Sequence, residues 1–427
     1  MLYIYVKKNK MLKKFTHLVK RIYYGVINYI HYIPSLIYMK INERRVKSKV
    51  ANGDVVNVIF LIQYIPGWNK LEPIYVQMKK HPRFNPIIVC VPLDVVNKNN
   101  NEIYDYFKQN GYNCINAIQK NGQWFDIKSL NPDYVFHSRP YNAFMPNIYK
   151  SKNIRKYSLV CNVLYGASLT ENAQIVTLNK DYYRDVYSYF CFDEDEKRFY
   201  KKRFSLGFKT RIQKCFQYGA IGLEQMIKCK KNQEKTNFKK IVLWTPRWST
   251  DPFVGGSNFF RYINSILNLI EKNKDILFVI RPHPLMFNNF IKTKEMSLED
   301  VQQFHKFCNE KDNVILDESK EYSKLFWNSD FLITDASGIV PEYFMTEKPI
   351  MYCNSNIDFR YLPYAKKMIE ECYEVNNEID LEKYFELLKL GIDEKSNNRK
   401  AYINEYFSDV SNNSTHILET LLENIQE

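Results

Sequence analysis

The sequence contains no paired or clustered cysteines. Its nine cysteines are widely scattered, none forms a CxxC pair, and no Cys/His group has the spacing of a zinc site. These absences exclude a disulfide-stapled secreted module and a zinc module. Several cysteines lie inside apolar runs, which predicts buried, reduced thiols in a cytosolic protein. The nine are Cys90, Cys114, Cys161, Cys191, Cys215, Cys229, Cys308, Cys353 and Cys372.

Glycine is also scarce, with 13 residues among 427, and no long low-complexity tract interrupts the chain. A hydrophobic fraction of 45% and a charged fraction of 25% are typical of a globular protein. No apolar segment is followed by a small-residue cleavage site, so no cleavable signal is predicted. The length is too great for one small core and predicts two domains.

Acidic residues are almost missing from the first fifty positions, where Glu43 stands alone against twelve Lys and Arg residues. This segment carries a net charge of +11, which leaves +3 of the chain's +14 for the other 377 residues. The basic character therefore belongs to a leader, residues 1–50, and not to the globular body. Because a nucleic-acid-binding surface needs many cations on the folded domain, nucleic acid is not an expected partner.

Within the leader, apolar residues recur at steps of three and four, with basic residues off that stripe. The pattern is typical of a basic amphipathic helix in a membrane interface and predicts an anionic membrane surface as a partner. An uncharged run over residues 22–39 is borderline for spanning a bilayer, but it is rich in Tyr and broken by Pro34. The alternative is a helix packed on the protein's own body. The stripe consists of Leu12, Phe15, Val19, Ile22, Val26 and Ile30.

From about residue 55 the sequence alternates short apolar runs with amphipathic segments. Runs such as VVNVIFLIQ, PIIVCVPL, KKIVLWTP, DILFVIRP and DFLITDAS lack strict apolar–polar alternation, which indicates parallel sheets covered on both faces. The alternation of strands and helices is not clear over residues 190–235. We place the crossing between the domains at the end of this stretch. The expected organisation is α/β, with the leader followed by doubly wound domains over residues 51–236 and 237–427.

Polar residues follow four strands of the second predicted domain, at the point where each strand ends. In an open parallel sheet, ligands bind outside the carboxyl ends of the strands. Packing alone does not require charge at four strand ends, so we interpret the set as a ligand site in the cleft between the domains. The set is Arg247, then Arg281 and His283, then Asp317, Glu318 and Ser319, then Asp335 and Ser337.

The segment TDASGIVPEYF passes from a strand through a turn of small residues into a helix. Ser337, Gly338 and the first helical amides are expected to hold an anion at the positive end of the helix. Pro341 suits a helix start, and Glu342 is placed to accept hydrogen bonds from vicinal hydroxyls such as those of a ribose. Two alternatives need no ligand: Asp335 as a helix cap, and Glu342 as a favourable acid in the first turn.

Arg281 and His283 lie in the segment Arg-Pro-His-Pro, where the prolines restrict the backbone. An arginine neutralises phosphate bidentately, and a protonated His283 would donate a proton or hydrogen bond to the leaving phosphate or bridging oxygen. The alternative is a solvent-facing loop in which both residues are incidental. Together the strand ends predict a site for a nucleotide diphosphate.

The second half of the chain, LWTPRWS … RPHP … TDASGIVPEYFMTEKPIMY, resembles the CDP-glycerol glycerophosphotransferases of teichoic-acid and capsule polymer synthesis. The resemblance is strong over about residues 240–352 and weaker over 55–165. It implies the GT-B fold, in which two Rossmann-like domains face each other. It also implies transfer of polyol phosphate from CDP-glycerol or a related CDP-polyol to a hydroxyl of a lipid-linked glycan acceptor, with release of CMP. The expected location is the cytoplasmic face of the plasma membrane, as a peripheral protein, and no metal or cofactor is expected.

The resemblance also implies roles for residues of the second domain. His283 matches the family's HP histidine near the donor phosphate, Ser337 matches its phosphate-binding serine, and Asp335 matches the acidic residue before that serine. Gly338 stands where the family often has a second serine, so a backbone contact replaces one hydroxyl. Arg247, in the matching PxW segment, is placed in the same donor site.

The first domain departs from the family pattern. Many members place a His-Gly pair at the strand end that faces the acceptor, and this chain has Tyr165-Gly166 there. Because a tyrosine is a poor base at neutral pH, we expect His137, at a neighbouring strand end, to act as the catalytic base. The alternative for His137 is a hydrogen-bonded structural histidine. Trp68 is expected either to line the acceptor groove or to pack in the core.

The expected reaction is displacement at the β-phosphorus of CDP-glycerol by an acceptor hydroxyl. Arg281, His283 and the helix after Ser337 would stabilise the charge that develops on CMP. Two other readings stay open. A GT-B glycosyltransferase or UDP-sugar 2-epimerase has a similar acid–Ser–Gly site, and an inactive nucleotide-binding homologue would explain Tyr165.

Overall fold

A computed structural model of the protein describes residues 29–92, 101–230, 236–251, 256–319, 321–355 and 359–423. Two parallel β-sheets follow each other along the chain. Because their strands are nearly continuous apolar runs, both faces of each sheet are buried under helices. The fold is therefore the pair of Rossmann-like α/β units that the sequence predicts.

The first sheet has the strand order β3-β2-β1-β4-β5-β6-β7 in the described residues, and every neighbouring pair is parallel. The apolar runs VVNVIFLIQ, PIIVCVPL, DYVFHSRP and KYSLVCNVLYG predict β1, β2, β4 and β5, whereas β3, β6 and β7 are not predicted. The strands are β1 (Val56–Ile62), β2 (Phe84–Cys90), β3 (Cys114–Asn116), β4 (Tyr134–His137), β5 (Leu159–Val163), β6 (Val186–Phe190) and β7 (Lys214–Phe216).

The second sheet has the order β10-β9-β8-β11-β12-β13, again with parallel neighbours. Its first five strands in chain order are predicted from the runs KKIVLWTP, DILFVIRP, NVILDES, DFLITDAS and KPIMYCN, and the short last one is not predicted. The strands are β8 (Lys240–Thr245), β9 (Ile276–Ile280), β10 (Val314–Leu316), β11 (Phe331–Thr334), β12 (Ile350–Cys353) and β13 (Tyr373–Val375).

Helices cover both sheets because their apolar residues recur at helical spacing. In α10, for example, Phe259, Tyr262, Ile266 and Leu269 are all buried on one face. The helices are α1 (29–51), α2 (Glu72–Lys80), α3 (Glu102–Gln109), α4 (Ser151–Ile154), α5 (Glu171–Thr177), α6 (Lys180–Tyr183), α7 (Glu194–Arg203), α8 (Ser205–Lys209), α9 (Ile221–Lys228), α10 (Phe259–Lys272), α11 (Met286–Lys292), α12 (Leu298–Asn309), α13 (Ser323–Asn328), α14 (Val340–Phe344), α15 (Pro363–Glu370), α16 (Glu378–Lys389), α17 (Ser396–Tyr406) and α18 (Asn413–Glu423).

The strand order reverses direction next to β1 in the first sheet and next to β8 in the second. At such a switch point the connections leave on opposite faces of the sheet and open a crevice at the carboxyl ends of the strands. In the second sheet this crevice lies between β8 and β11, where Thr245 pairs with Thr334. The residues that follow these two strands are therefore brought side by side.

The last helix returns to the first sheet. Ile417, Leu418 and Leu421 of α18 belong to the hydrophobic core of the first sheet, and the hydroxyl of Tyr134 donates to the carbonyl of Leu421 over 3.1 Å. The chain therefore crosses between the two units twice, once near α9 and once before α18. The boundary between residues 236 and 237 stays a prediction.

Helix α1 includes the second half of the predicted leader and packs on the first sheet. Its inner face buries Tyr32, Leu36, Met39 and Val46 in the core of that sheet. Arg45 and Lys49 each form an ion pair of 2.6 Å with the buried Asp133, which both cations share. For residues 29–50 the structure thus shows the packed helix that the sequence left as the alternative. The predicted stripe from Leu12 to Val26 lies outside the described residues.

Among the described residues, no helix is both long enough and apolar enough to cross a membrane. All nine cysteines are free thiols, and seven of them are buried. Burial raises the pKa of thiols such as Cys161 and Cys372, which keeps them in the unreactive protonated form. They contribute apolar volume to the core.

Candidate functional site

The segments that follow β8 and β11 are joined by hydrogen bonds at the switch point of the second sheet. The backbone N–H of Arg247 donates to Oδ2 of Asp335 over 2.8 Å, and the Arg247 guanidinium donates to the carbonyl of Ala336. The hydroxyls of Thr245 and Thr334 bond each other over 2.7 Å at the strand ends. Two of the four predicted strand ends therefore form one connected wall.

Asp335 lies behind this wall and not on its surface. Its carboxylate is buried and accepts from the backbone N–H of Asn258 over 3.1 Å, from the Asn258 side-chain amide over 2.9 Å and from Arg247. Burial raises the pKa of Asp335, while these hydrogen bonds act in the opposite direction. Since its oxygens are taken by protein donors and α14 has no side-chain cap, Asp335 fits a positioning role better than a ligand contact or a helix cap.

The turn of small residues lies at the junction of the two sheets. Ser337 is half-buried and Gly338 is exposed, and α14 begins two residues later with Pro341 in its first turn, as the sequence predicts. A β-carbon at Gly338 would lie 3.6 Å from the carbonyl oxygen of Ala167, in the segment that follows β5. The turn therefore faces the first domain across a narrow gap.

His283 lies on the same wall beside Arg247 and Trp248. Its Nδ1 accepts the backbone N–H of Leu285 over 3.2 Å, so a neutral ring carries its proton on Nε2. Desolvation by the surrounding protein, and then the positive charge of Arg247, lower the pKa of His283 to about 4. In the free protein the ring is therefore neutral near pH 7, in contrast to the predicted imidazolium, and it can still donate a hydrogen bond through Nε2–H.

The guanidinium of Arg281 already binds residues of its own domain. Its Nη1 forms an ion pair with Asp317 and a hydrogen bond of 3.2 Å with the Ser319 hydroxyl, and Nη2 donates to the Ser319 carbonyl over 2.9 Å. The guanidinium also lies 5.5 Å from the ring centroid of Tyr322. The third and second strand ends are thus joined through Arg281, and a bidentate phosphate contact would require it to exchange these partners.

Glu342 is buried and points toward the first domain. The hydroxyl of Tyr322 donates to its Oε2, and Nζ of Lys70 lies 3.3 Å from its Oε1. Lys70 ends the 3-10 turn Ile65–Lys70 that follows β1, so this ion pair joins the two domains. A carboxylate facing the cleft is available to hydroxyl groups once either partner moves.

Tyr165 and Gly166, predicted on the acceptor side, lie at this same junction. The Tyr165 ring is 5.4 Å from Nζ of Lys70 and 5.9 Å from the ring of Tyr141. A β-carbon at Gly166 would lie 3.5 Å from Nζ of Lys70. The strand end that departs from the family pattern is therefore in contact with the wall that holds Glu342.

The prediction that His137 acts as a base does not fit its surroundings. The side chain is 2% exposed, Nε2 bonds the carbonyl of Tyr149 over 2.9 Å, and Nδ1 bonds the hydroxyl of Tyr182 over 3.1 Å. Burial lowers the pKa of His137 to about 4. Both ring nitrogens are used inside the first domain, so His137 is the hydrogen-bonded structural histidine that the sequence left as the alternative.

The prediction that Trp68 lines the acceptor groove is also wrong. Its ring is fully buried and makes edge contacts with Phe60, Tyr75, Phe107 and Tyr112 at centroid distances of 5.0 to 6.1 Å. It packs helix α2 and the turn before it onto the first sheet. A bulky aromatic residue in an apolar cluster of this size contributes core packing and has no free face for a ligand.

Sequence reasoning misses several residues that the structure brings to the cleft. Lys70, Tyr322 and Asn258 contact predicted residues from positions far away in the chain, and no spacing rule connects them. Arg139, two residues after β4, lies over the rings of Tyr141 and Phe144 at 5.5 and 5.3 Å. Its position after a strand end is a signal that the sequence offers, since the same rule selects Arg247 and Arg281.

A family model matches the second part of the chain. Residues 224–362 match the model described as CDP-Glycerol:Poly(glycerophosphate) glycerophosphotransferase. No curated protein matches the chain.

Solved structures share the fold at low sequence identity. UDP-GlcNAc 2-epimerase from Neisseria meningitidis, bound to UDP-GlcNAc, is 16% identical, with a TM-score of 0.55, and covers 86% of this chain and 100% of that chain. MnaA from S. aureus, in a co-structure with UDP, is 15% identical, with a TM-score of 0.57, covering 87% and 98%. A variant of the wall teichoic acid polymerase TagF, soaked with CDPG, is 12% identical, with a TM-score of 0.53, covering 93% and 97%. At these identities the likeness concerns the fold alone, which is GT-B-like.

The matched segment contains the whole wall of the second domain, from Arg247 through His283 and Asp335 to Glu342. The fold and the order of motifs in that wall agree with the resemblance found in the sequence. Over residues 224–362, about a third of its length, the chain is similar to the CDP-glycerol:poly(glycerophosphate) glycerophosphotransferase family of transferase enzymes.

Proposed function

We propose that the protein transfers glycerol phosphate, or a related polyol phosphate, from a CDP-polyol such as CDP-glycerol to a hydroxyl of a lipid-linked acceptor. The single observation that carries this proposal is that the family match coincides with one wall of a GT-B-like cleft. That wall holds His283, Arg247 and the turn at Ser337. The product released is CMP, and the acceptor belongs to a cell-surface polymer such as teichoic acid or capsule.

In this reaction the acceptor oxygen attacks the β-phosphorus of the donor, and the bond from that phosphorus to the bridging oxygen breaks. The electron pair leaves with CMP, and the hydroxyl proton is lost to water or to a phosphate oxygen. Because phosphoryl transfer passes through a loose transition state, positioning and charge stabilisation matter more than a strong base. A mechanism without His137 is therefore chemically sound.

The residues of the wall suit the charge that develops on the leaving group. Among the described residues the Nε2–H of His283 has no hydrogen-bond partner, and Ser337 and Gly338 offer a hydroxyl and backbone amides at the turn. Arg247 and Arg281 supply positive charge beside them. Donors fixed before the reaction stabilise developing charge at little reorganisation cost. Glu342 is the acceptor that we assign to the ribose hydroxyls.

The first test is ligand binding followed by turnover. We expect CMP, CDP-glycerol or CDP-ribitol to raise the melting temperature, because a ligand at about 100 times its Kd stabilises the native state by about 2.7 kcal/mol. UDP and UDP-GlcNAc should have little effect, and incubation with CDP-glycerol and a lipid-linked acceptor should release CMP. Stabilisation by uridine compounds alone would favour the epimerase function that the structural neighbours carry. Binding of cytidine compounds without turnover would favour an inactive homologue.

We also propose that helix α1 rests on the membrane that carries the acceptor. Its outer face exposes four isoleucines in line, Ile30, Ile33, Ile37 and Ile41, which are 61%, 50%, 54% and 56% exposed. Their spacing of three and four residues continues the apolar stripe of the basic leader. An exposed apolar row beside many cations is typical of a surface that enters an anionic lipid interface.

The double variant Ile33→Ser and Ile37→Ser should bind anionic vesicles about tenfold more weakly than the wild type, because less apolar surface enters the interface. Vesicle co-sedimentation measures this. The matched control is Ile379→Ser with Leu390→Ser, two strongly exposed residues of the second domain, which should bind as the wild type does. Substitution is a better test than deletion of residues 1–50, since deletion would leave the buried Asp133 without Arg45 and Lys49. Equal binding by both double variants would exclude the α1 surface.

A further inference from the structure

Lys70 is the one lysine that the described residues show reaching from the first domain to the predicted donor wall. Its Nζ lies 3.3 Å from Oε1 of Glu342, and the two side chains are 18% and 6% exposed. The ion pair is thus partly shielded from water but still open on one side. Neither the composition nor the motifs of the sequence assign Lys70 a role.

Two glycines, Gly166 and Gly222, border the side chain of Lys70. A β-carbon at Gly222 would lie 3.2 Å from Oε1 of Glu342 and 3.6 Å from Cγ of Lys70, and one at Gly166 would lie 3.5 Å from Nζ. Neither glycine has the positive φ that would make glycine necessary for the backbone. The missing side chains at Gly166 and Gly222 therefore keep open the slot in which the lysine lies.

The charges around the slot are only partly satisfied by the protein. Glu342 has two partners, since Tyr322 donates to one oxygen and Lys70 pairs with the other. An ammonium group has three N–H donors, and within the described part of the chain the single ion pair of Lys70 is the one to Glu342. The Tyr165 ring covers another side at 5.4 Å. The ammonium can therefore accept an anion without breaking any other ion pair.

The slot lies close to the turn that we assign to the donor phosphates. Gly338 of that turn faces the carbonyl of Ala167, and Lys70 faces the adjacent Gly166. The lysine and the turn thus contact neighbouring residues of one short segment after β5. A phosphate group held at Ser337 and Gly338 would meet a positive charge from the opposite domain.

We propose that Lys70 binds the phosphate groups of the donor, which rests on the function proposed above. In the free protein Glu342 holds the ammonium in place. When the ribose hydroxyls of the donor engage Glu342, Lys70 turns to the diphosphate and fixes the first domain over the donor. Lys70 recognises the diphosphate of a nucleotide. A neutral nucleoside has no phosphate and therefore does not bind Lys70.

The experiment compares affinities for CDP-glycerol and for cytidine, measured by calorimetry with displacement titrations. Lys70→Gln should weaken CDP-glycerol binding about tenfold, the size expected for loss of one charge-assisted hydrogen bond, and should leave cytidine binding within about twofold. Lys70→Arg should retain most of the affinity because it keeps the positive charge. Lys239→Gln removes the charge of a strongly exposed lysine at the opposite end of β8 and should change neither ligand.

Glu342→Gln supplies a second readout, and it leaves Lys70 in place if Lys70→Gln folds poorly. With the ion pair removed and the ammonium free, the preference for CDP-glycerol over cytidine should increase. Equal loss of both ligands in Lys70→Gln, or an unchanged preference in Glu342→Gln, would show that the pair only holds the domains together. Failure of the proposed function is distinguishable, since the wild type would then either bind neither cytidine compound or bind CDP-glycerol without releasing CMP in the presence of the acceptor.

Discussion

Replacing His283 with alanine should lower kcat for CMP release by about 10²–10³-fold while the fold stays intact. The reason is that we assign the Nε2–H of His283 to the leaving phosphate, and loss of one such donor to a developing oxyanion costs this much. Its tautomer is fixed by the Leu285 N–H on Nδ1, so a side chain without that donor cannot substitute. The measurement is CMP release at saturating CDP-glycerol, with the melting temperature recorded beside it.

The control for this variant is His416→Ala, which removes a partly exposed imidazole on α18, away from the cleft. It should leave kcat unchanged. Although the His283 side chain is exposed at the surface, desolvation by the surrounding protein and the charge of Arg247 lower its pKa to about 4, so the ring loses its proton well below neutral pH. We therefore expect the pH dependence of kcat/KM between pH 5 and 8 to have the same shape in the wild type and in His283→Ala, because His283 does not titrate in that range. Activity near the wild-type level in His283→Ala would remove this residue from the mechanism.

The same pKa predicts how acid affects stability. The unfolded chain binds a proton at His283 near pH 6.5, whereas the folded chain does so near pH 4. As pH falls from about 6.5 to 4, the unfolded state binds more protons, so the folded state loses stability. The difference in melting temperature between His283→Ala and the wild type should therefore move in favour of the variant as the pH is lowered from 7 to 5.

Strand prediction succeeds where a strand is long and apolar throughout. β1, β8 and β9 are runs of five to seven residues that are nearly all buried. Short apolar runs between amphipathic helical segments are typical of strands in a buried parallel sheet. The short strands β3 and β13 have three residues each and lie at sheet edges. So few residues carry no periodicity. Length does not decide every case, because β10, which also has three residues, is predicted and β6, with five buried residues, is not.

The topology itself gathers some of the residues that the sequence predicts for the site. Arg247 and Asp335 meet because β8 and β11 are hydrogen-bonded neighbours, and parallel strands bring their carboxyl ends to one edge. His137 follows the same rule but is wrong as a base. Its side chain turns into the first domain, where Nε2 donates to the carbonyl of Tyr149 and Nδ1 accepts from the hydroxyl of Tyr182. Which way a strand-end side chain turns depends on tertiary packing that no local pattern encodes.

The contacts that the sequence cannot supply are those that join distant loops. Asn258 reaches Asp335 across 77 positions, and Lys70 reaches Glu342 from the other domain. Lys70 is not the sole link between the domains, because Thr170 also pairs with Tyr361 and Arg360 forms an ion pair with Glu171. The contacts that build the cleft thus come from segments that are far apart in the chain.

The variant Asp335→Asn should lower the free energy of unfolding by about 3 kcal/mol, because at least one buried N–H would lose its acceptor and face an amide N–H₂ instead. The carboxylate now accepts from Arg247 and twice from Asn258, and an asparagine has a single acceptor oxygen for them. Without that brace the segments after β8 and β11 separate, so kcat/KM should also fall by at least about tenfold. Denaturant unfolding and CMP release measure the two effects.

Asp330→Asn is the matched control, because Asp330 lies at the amino end of the same strand and accepts the backbone N–H of Ile241 over 2.7 Å. It is more exposed than Asp335 and faces away from the cleft, so its substitution should cost less stability and leave kcat/KM unchanged. Comparing the two variants separates the effect of losing any carboxylate at the end of β11 from the effect of losing the hydrogen bonds that Asp335 accepts behind the donor wall. If Asp335→Asn unfolds at the wild-type denaturant concentration and keeps its activity, the wall is held by Arg247 and Ala336 alone, and the positioning role of Asp335 is wrong.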